Sequence, residues 1–245
     1  MKRLFALLGK NISYSFSKQY FSEKFKNELI TDAEYVNFDL QSLDDLPFKL
    51  HENPNLCGMN VTIPYKKAII PMLHQVDETA LQIGAVNTIK CTSYGMIGYN
   101  TDYYGFLQSL QPFLKAHHTK ALILGTGGAS NAVAFALQKL GIAFVLVSRN
   151  PSKGQFAYTD LTSDIITDYT LIINCTPLGT FPDVDACPPI AYEALTPKHL
   201  LYDLIYNPQR TLFLQKGEKQ GATGVNGQKM LELQAEKAWQ IWNEN

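Results

Sequence analysis

The chain has 245 residues, of which 46% are hydrophobic and 18% are charged, and its formal net charge at pH 7 is −1. These values predict a globular protein with one large domain or two smaller ones. A net charge near zero provides no attraction to nucleic acid or to an anionic membrane surface, so neither is an expected partner. No apolar run reaches the ~20 residues of a membrane-spanning helix. The apolar residues 4–8 are too few for a signal-peptide core.

The four cysteines lie in or beside apolar runs and show no C-x-x-C spacing. They are Cys57, Cys91, Cys175 and Cys187. This arrangement predicts reduced, buried thiols in a cytoplasmic protein, without a disulfide framework or a zinc site. No metal is expected, because no histidine has a ligand-like partner in the sequence.

The chain begins with an apolar strand at residues 2–8, followed by a loop in which three serines alternate. The loop leads into a helix predicted at 18–27, with Ser17 as its N-cap. Alternating hydroxyl groups at a strand-to-helix turn, such as Ser15 and Ser17, can bind a carboxylate, or they can be ordinary turn and cap residues. Strands at 34–40 and 56–61 enclose a helix near 43–50, and this β-α repeat predicts a mainly parallel sheet.

Residues 60–66 combine polar side chains with an unusually placed lysine. Asn60 and Thr62, two positions apart on a strand, present an amide and a hydroxyl on the same face. Thr62 is the predicted N-cap of the next helix, and Pro64 suits its first turn. Lys66 then lies where the helix dipole disfavours its charged form. The pattern indicates a site for a small hydroxylated molecule; the alternative is a solvated helix start with a surface lysine.

A strand is predicted at 85–89, with Asn87 as an isolated amide among apolar neighbours, and residues 96–99 pair back after a turn at Gly95. Asp102 comes next. From the residues alone, capping of the helix that continues to Leu114 is favoured for Asp102 over catalysis. Residues 110–119 are the predicted boundary between two domains.

The second half opens with a strand at 120–124, a glycine-rich turn at 125–130, a helix to Leu140 and a strand at 142–147. This context is the one that a dinucleotide-binding fingerprint requires. Ser130 stands at the position of the third glycine. The predicted cofactor contacts in the turn are Gly125, Gly127, Gly128 and Ala129.

The end of the next strand favours NADP over NAD. An NAD site usually places Asp or Glu there to bind the ribose 2′-hydroxyl. This chain has Ser148, Arg149 and Asn150, with Lys153 close behind. A guanidinium can bind a 2′-phosphate in a fork, whereas a carboxylate would repel it. The alternative is that Arg149 and Lys153 are solvated surface charges.

Further elements follow the same α/β pattern. Strands are predicted at 170–174 and 200–206, and the exit of the first, through Thr176, is of the kind that lines a crevice in an open sheet. A helix at 212–220 and a short strand and turn at 224–227 precede a final amphipathic helix at 228–242.

Eight short motifs, taken together and in this order, resemble the shikimate dehydrogenase family. They are the serine loop with Ser15 and Ser17, residues 60–66, 84–88 and 98–102, the glycine turn at 125–130, residues 174–176, Tyr202-Asp203 with 206–208, and 227–231 with Gln234. The serine loop differs from the family pattern at Asn11 and Lys18, where proline is common, and at Tyr14, where histidine is common.

The resemblance implies an α/β fold of two domains with a cleft between them. Residues 1–110 would form the substrate domain, with 226–245 packing back on it. Residues 111–225 would form a Rossmann-type NADP domain with a doubly wound parallel sheet. The implied catalytic pair is Lys66 and Asp102. The implied substrate contacts are Ser15, Ser17, Asn60, Thr62, Asn87, Tyr206 and Gln234, and further implied cofactor contacts are Thr176, Leu204 and Gly227.

The implied reaction is reversible hydride transfer from NADPH to the C3 carbonyl of 3-dehydroshikimate, giving shikimate. Two alternatives stay open: an enzyme that also accepts quinate, and a non-catalytic NADP-binding sensor on the same fold. The retention of both Lys66 and Asp102 argues against the sensor. The expected partner is a small-molecule substrate, and the expected protein is a cytoplasmic monomer or homodimer.

Overall fold

A computed structural model describes residues 2–13 and 15–244. By internal contacts the chain divides into two compact units, Met1–Thr101 with Ala235–Asn245, and Asp102–Gln234. Each unit carries one six-stranded sheet. The domain boundaries drawn from the sequence, after residues 110 and 225, stay a prediction. In the described part of the chain, no helix is long and apolar enough to span a membrane.

The first unit has a mixed sheet flanked by short helices. Its strands are β1 (Arg3–Gly9), β2 (Ala33–Asp39), β3 (Leu56–Val61), β4 (Gln75–Val76), β5 (Thr88–Thr92) and β6 (Gly95–Tyr99), and its helices are α1 (Phe16–Asn27), α2 (Leu46–Glu52), α3 (Tyr65–Ala68) and α4 (Glu78–Ile83). The strand order is β2-β1-β3-β5-β6-β4. β5 is antiparallel to both of its neighbours, while the other pairs are parallel.

β1 is buried on both faces because nearly all of its residues are apolar, as is typical of a central strand. Leu4, Ala6 and Leu8 pack into one core cluster. Phe5 and Leu7 pack into a second, which is rich in aromatic rings and includes residues near the C-terminal end. The two faces of this sheet therefore carry separate cores.

The second unit has a fully parallel sheet. Its strands are β7 (Lys120–Leu124), β8 (Ala143–Ser148), β9 (Phe156–Ala157), β10 (Leu171–Asn174), β11 (Leu200–Asp203) and β12 (Thr223–Val225), and its helices are α5 (Asp102–Leu110), α6 (Gly128–Lys139), α7 (Ser163–Asp168), α8 (Leu212–Lys219) and the first turns of α9 (Gln228–Asn243). The order β12-β11-β10-β7-β8-β9 runs outward from β7 in both directions. The predicted doubly wound sheet is confirmed, and its topological switch point lies between β7 and β10.

Several local predictions differ from the structure. The strand predicted at 200–206 ends at Asp203. The helix predicted to continue to Leu114 ends at Leu110. The N-cap of α1 is Ser15, not Ser17. Thr62 does not cap α3, because Pro64 precedes that helix and no side chain provides a capping hydrogen bond. The strand expected at 85–89 begins only at Thr88, where pairing with β3 and β6 starts.

Candidate active site

Asn60, near the end of β3, anchors a buried polar network in the first unit. Its Oδ1 accepts a hydrogen bond from the Tyr35 hydroxyl at 2.8 Å, and its Nδ2 donates to Thr88 Oγ1 at 3.3 Å. All three side chains are buried. Because both ends of the amide are occupied, the orientation of Asn60 is fixed by its neighbours.

Asn87 and Thr101 extend the same network. Asn87 Nδ2 donates to Thr101 Oγ1 at 3.0 Å, and the Thr101 amide donates to Asn87 Oδ1 at 2.6 Å. Thr88 Oγ1 lies 3.2 Å from Thr101 Oγ1 and thereby joins this pair to Asn60. Two of the amides predicted to contact substrate are therefore held by one set of hydrogen bonds.

The serine loop reaches the network through Tyr35. Ser15 Oγ accepts from the Ser17 amide at 3.2 Å and caps α1. Burial raises the pKa of Tyr35 well above its usual value, and a side-chain hydrogen bond with Ser17 opposes this shift. The structure thus brings Ser17, Asn60 and Asn87 together. Sequence reasoning missed Tyr35 and Thr88, because their positions on strands are equally typical of core residues.

The serine loop departs from the family pattern for a structural reason at Asn11. This residue has a φ of +56°. Its amide donates to Asp39 Oδ1 at 2.8 Å, and the Ile12 amide donates to Asp39 Oδ2 at 3.2 Å. Proline could neither adopt this φ nor supply the N–H. The departure at Tyr14 lies outside the described residues.

Lys66 lies in α3, which is a single turn of four residues. The side chain is half-buried, and the main-chain carbonyl accepts a hydrogen bond from the Val86 amide at 2.8 Å. A helix of one turn has few aligned peptide dipoles to act on Lys66, unlike the longer helix that the sequence predicts. Thr62, also half-buried, follows the end of β3.

The remaining predicted catalytic and substrate residues belong to the second unit. Asp102 is the first residue of α5 and is 8% exposed. Gln234 is buried in α9, where its Nε2 donates to the Leu231 carbonyl at 2.9 Å. Tyr206 is half-buried in the segment that follows β11.

A cavity of about 640 Å³ lies at the carboxyl ends of β7, β8 and β10. It brings together six of the predicted cofactor contacts, namely Gly125, Gly127, Ser148, Arg149, Asn150 and Thr176. Gly128 and Ala129 form the first turn of α6 directly beyond Gly127, which is its N-cap. Lys153, Leu204 and Gly227 are not among the lining residues.

The glycine turn leaves room for a ligand at the N-terminus of α6. Gly125 has a φ of +103°, which favours glycine. A Cβ atom on Gly127 or Gly128 would meet open space. The first-turn N–H groups of a helix have no intrahelical partner and attract anions. These features fit the pyrophosphate of a dinucleotide.

The charges around the cavity fit the 2′-phosphate of NADP. Arg149 is exposed at the cavity wall, and no Asp or Glu is among the lining residues. Tyr158 also lines the cavity; burial raises the pKa of its hydroxyl, and the nearby Arg149 charge opposes this shift. Sequence reasoning missed Tyr158, because no fingerprint position marks it.

Leu204 and Gly227 lie against one another. The Gly227 amide donates to the Ile205 carbonyl at 3.0 Å. A Cβ atom on Gly227 would overlap the Leu204 carbonyl oxygen, so this contact requires glycine. Within residues 2–13 and 15–244, no cluster of three His, Cys, Asp or Glu side chains could hold a metal ion.

Comparison with known proteins identifies the family. Residues 7–89 match the model of the shikimate dehydrogenase substrate binding domain. A shikimate dehydrogenase (NADP(+)) of Clostridium botulinum (strain Hall) is 37% identical over 96% of this chain and 95% of its own length. The chain belongs to the shikimate dehydrogenase family. A further shikimate dehydrogenase (NADP(+)), from Methanosphaera stadtmanae, is 35% identical over 96% of this chain and 89% of its own.

Solved structures of shikimate dehydrogenases share the fold. The chorismate mutase/shikimate 5-dehydrogenase fusion protein of Clostridium acetobutylicum has a TM-score of 0.88 and 32% identity, covering 99% of this chain and 92% of that one. The shikimate 5-dehydrogenase of Thermus thermophilus, in complex with NADP(H) and shikimate, has a TM-score of 0.86 and 30% identity, covering 99% and 94%.

Proposed function

We propose that this protein is an NADP-dependent shikimate dehydrogenase, which reversibly reduces 3-dehydroshikimate to shikimate in aromatic amino-acid (chorismate) biosynthesis. The observation that carries the proposal is the cavity beside the glycine turn, which has an arginine and no carboxylate among its lining residues, in a chain of this family. An NADP-dependent oxidoreductase acting on a CH–OH group needs such a dinucleotide site.

The second unit binds and orients the dinucleotide in this proposal. The N–H groups of Gly128 and Ala129 would hold the pyrophosphate, and the Arg149 guanidinium would hold the 2′-phosphate. Ser148, Asn150 and Lys153 add donors and charge near the same group. When bound, the nicotinamide supplies the hydride. We assign Thr176, Leu204 and Gly227 to contacts with the same cofactor.

Lys66 and Asp102 form the proposed catalytic pair. Reduction of a carbonyl builds negative charge on its oxygen, and the Lys66 ammonium stabilises this charge and donates the proton. The Asp102 carboxylate accepts a hydrogen bond from a substrate hydroxyl. In the reverse direction Lys66 takes the proton back from the C3 hydroxyl.

The polar groups of the substrate are matched by neutral donors and acceptors. Ser15 and Ser17 hydroxyls, with Tyr206, suit the substrate carboxylate. Side-chain amides and one hydroxyl can hydrogen-bond the hydroxyl groups of the substrate ring. We assign Asn60, Thr62, Asn87 and Gln234 to these contacts. The hydrogen bonds that fix Asn60 and Asn87 reduce the entropy lost when they bind a ligand.

The decisive experiment is an absorbance assay at the NADPH band with the purified protein. We expect NADPH oxidation with 3-dehydroshikimate and NADP+ reduction with shikimate. Comparable turnover of quinate would replace the proposal with a broader quinate/shikimate dehydrogenase. NADP+ binding without turnover of any of the three substrates would indicate a sensor.

The proposed enzyme acts in the cytoplasm as a monomer or a homodimer. Light scattering of the purified protein, measured with and without NADP+, distinguishes these two states.

A further inference from the structure

A buried carboxylate lies at the end of β11, and the proposed function leaves it without a role. Asp203 has no exposed surface. Its Oδ1 accepts hydrogen bonds from Asn174 Nδ2 at 3.0 Å and from the Ile205 amide at 3.1 Å. Its Oδ2 accepts from the Thr211 hydroxyl at 2.6 Å. Burying a carboxylate is unfavourable even with such donors, and burial raises the pKa of Asp203 to about 6.

Asn174, at the end of β10, connects Asp203 to the cofactor cavity. It is also fully buried. Its Oδ1 accepts from the Thr176 amide at 3.0 Å and from the Thr176 hydroxyl at 2.6 Å. A carboxylate can only accept hydrogen bonds, so the amide nitrogen of Asn174 must face Asp203 and the oxygen must face Thr176. Asp203 therefore selects the orientation of this amide.

The loop held by this amide forms part of the cavity wall. Thr176 Oγ1 accepts from the Leu178 amide at 3.3 Å, and both residues line the cavity. A second contact of Asp203, with the Ile205 amide, fixes the segment next to Leu204. One carboxylate thus joins the loop after β10 to the segment after β11.

We infer that Asp203 is a positioning residue for the dinucleotide: through Asn174 it holds the loop of Thr176 and Leu178 in the shape that binds NADP(H). The inference rests on the proposed function, because it assigns the cavity to NADP(H). Direct binding of NADP+ by the unmodified protein tests the cavity assignment separately from any effect at Asp203.

Two substitutions at position 203 separate the hydrogen bond from the charge. Asp203→Asn can turn its oxygen to Asn174 and Ile205 and its amide nitrogen to the Thr211 hydroxyl, which can accept. We expect its Kd for NADP+, measured by calorimetry, to stay within about twofold of the original. Asp203→Leu fills the same space without an acceptor and frees the amide of Asn174. Its Kd should rise roughly tenfold, the effect of one lost charged hydrogen bond.

Asn174→Asp gives a pH profile that a purely structural residue would not produce. The new carboxylate can still accept from Thr176, but it faces Asp203 and needs a shared proton. Relative to the original protein in the same buffers, we expect its Kd for NADP+ to rise about tenfold between about pH 6 and about pH 10. Among the described residues, Cys175 and Tyr192 are titratable groups that interact electrostatically with Asp203. Burial raises the pKa of each well above neutral, so both stay uncharged.

The outcomes are distinct. Folded Asp203→Leu with unchanged affinity for NADP+ overturns the inference, as does a Kd ratio for Asn174→Asp that does not change with pH. If Asp203→Leu does not fold, the Asn174→Asp profile decides. Failure of the unmodified protein to bind NADP+ contradicts the proposed function itself.

Discussion

At the residue scale, Lys66 carries the sharpest prediction. Lys66→Met keeps the length of the side chain but removes its charge and its proton. If Lys66 stabilises the transition state, the turnover number should fall by about 10²- to 10⁴-fold, the usual effect of removing a general acid. The Michaelis constant for shikimate should change much less. Lys67→Met, at the exposed neighbouring position, is the matched control and should leave turnover unchanged.

Substitution of Arg149 tests the predicted preference for NADPH over NADH. If Arg149 binds the 2′-phosphate as proposed, Arg149→Ala removes a charged hydrogen bond worth about 1.5–3 kcal/mol, so the Michaelis constant for NADPH should rise roughly ten- to a hundredfold. The constant for NADH should barely change, because NADH has no 2′-phosphate. Initial rates with both cofactors provide the measurement. Equal use of NADH and NADPH by the unmodified protein would refute this role for Arg149.

At the element scale, two glycines assigned to cofactor binding differ in what surrounds them. A Cβ at Gly127 meets open space, whereas a Cβ at Gly227 overlaps the Leu204 carbonyl. Gly127→Ala should keep its urea midpoint yet weaken NADP+ binding, because the methyl group enters the space for the pyrophosphate. Gly227→Ala should lower the free energy of unfolding by about 1–3 kcal/mol. A lower urea midpoint for Gly127→Ala, or an unchanged free energy of unfolding for Gly227→Ala, would contradict these expectations.

Sequence patterns predicted elements well where local signals agree. β3 begins and ends where predicted, since a short apolar run between polar segments leaves little ambiguity. β4 and β9 were missed, because two residues are too few to show a period. The start of β5 was misplaced because pairing with β3 and β6 sets it, and those partners are distant in sequence.

The same limit applies to the candidate site. The glycine turn could be predicted because a strand–turn–helix fingerprint is local, and Arg149 because it follows the next strand. Residues of both line the cavity. The link from Asp203 through Asn174 to Thr176 joins two strands, and no spacing along the chain encodes it. The N-cap of α1 likewise could not be assigned from the sequence, because it depends on which serine accepts a main-chain hydrogen bond; Ser15 Oγ accepts from the Ser17 amide.

At the scale of the whole molecule, acid stability should depend on His118. Burial lowers the pKa of this imidazole, and its hydrogen bond to the Lys198 carbonyl opposes the shift. The unfolded chain then binds the proton at a higher pH than the folded chain, so the free energy of unfolding should fall as the pH drops below about 6.5. His118→Asn should reduce this slope in urea titrations. His117→Asn, at an exposed position that contacts the same carbonyl, is the control.

Asp203 should change the free energy of unfolding with pH in the opposite direction to His118. Its pKa is raised to about 6 from 3.8, so the folded chain takes up this proton first. Its contribution to the free energy of unfolding therefore grows as the pH falls through about 6, and is lost as the pH rises. Asp203→Asn should remove this component and be at least as stable as the original at neutral pH. A less stable Asp203→Asn would contradict the assignment of an unfavourable buried charge.

The path of α9 has a consequence for how the protein is made. Trp242, on this helix, stacks on Phe5 of β1 with the ring centroids 4.8 Å apart. Its indole Nε1 donates a hydrogen bond to the Ile89 carbonyl at 2.9 Å. Phe5 and Trp242 belong to one core cluster of the first unit. The ribosome must translate all of 102–234 before it reaches Trp242, which takes roughly ten seconds at about 5–20 residues per second. The unit whose synthesis starts first is therefore the one that completes its core last, because the aromatic cluster around Phe5 lacks Trp242 until the end of the chain has been translated.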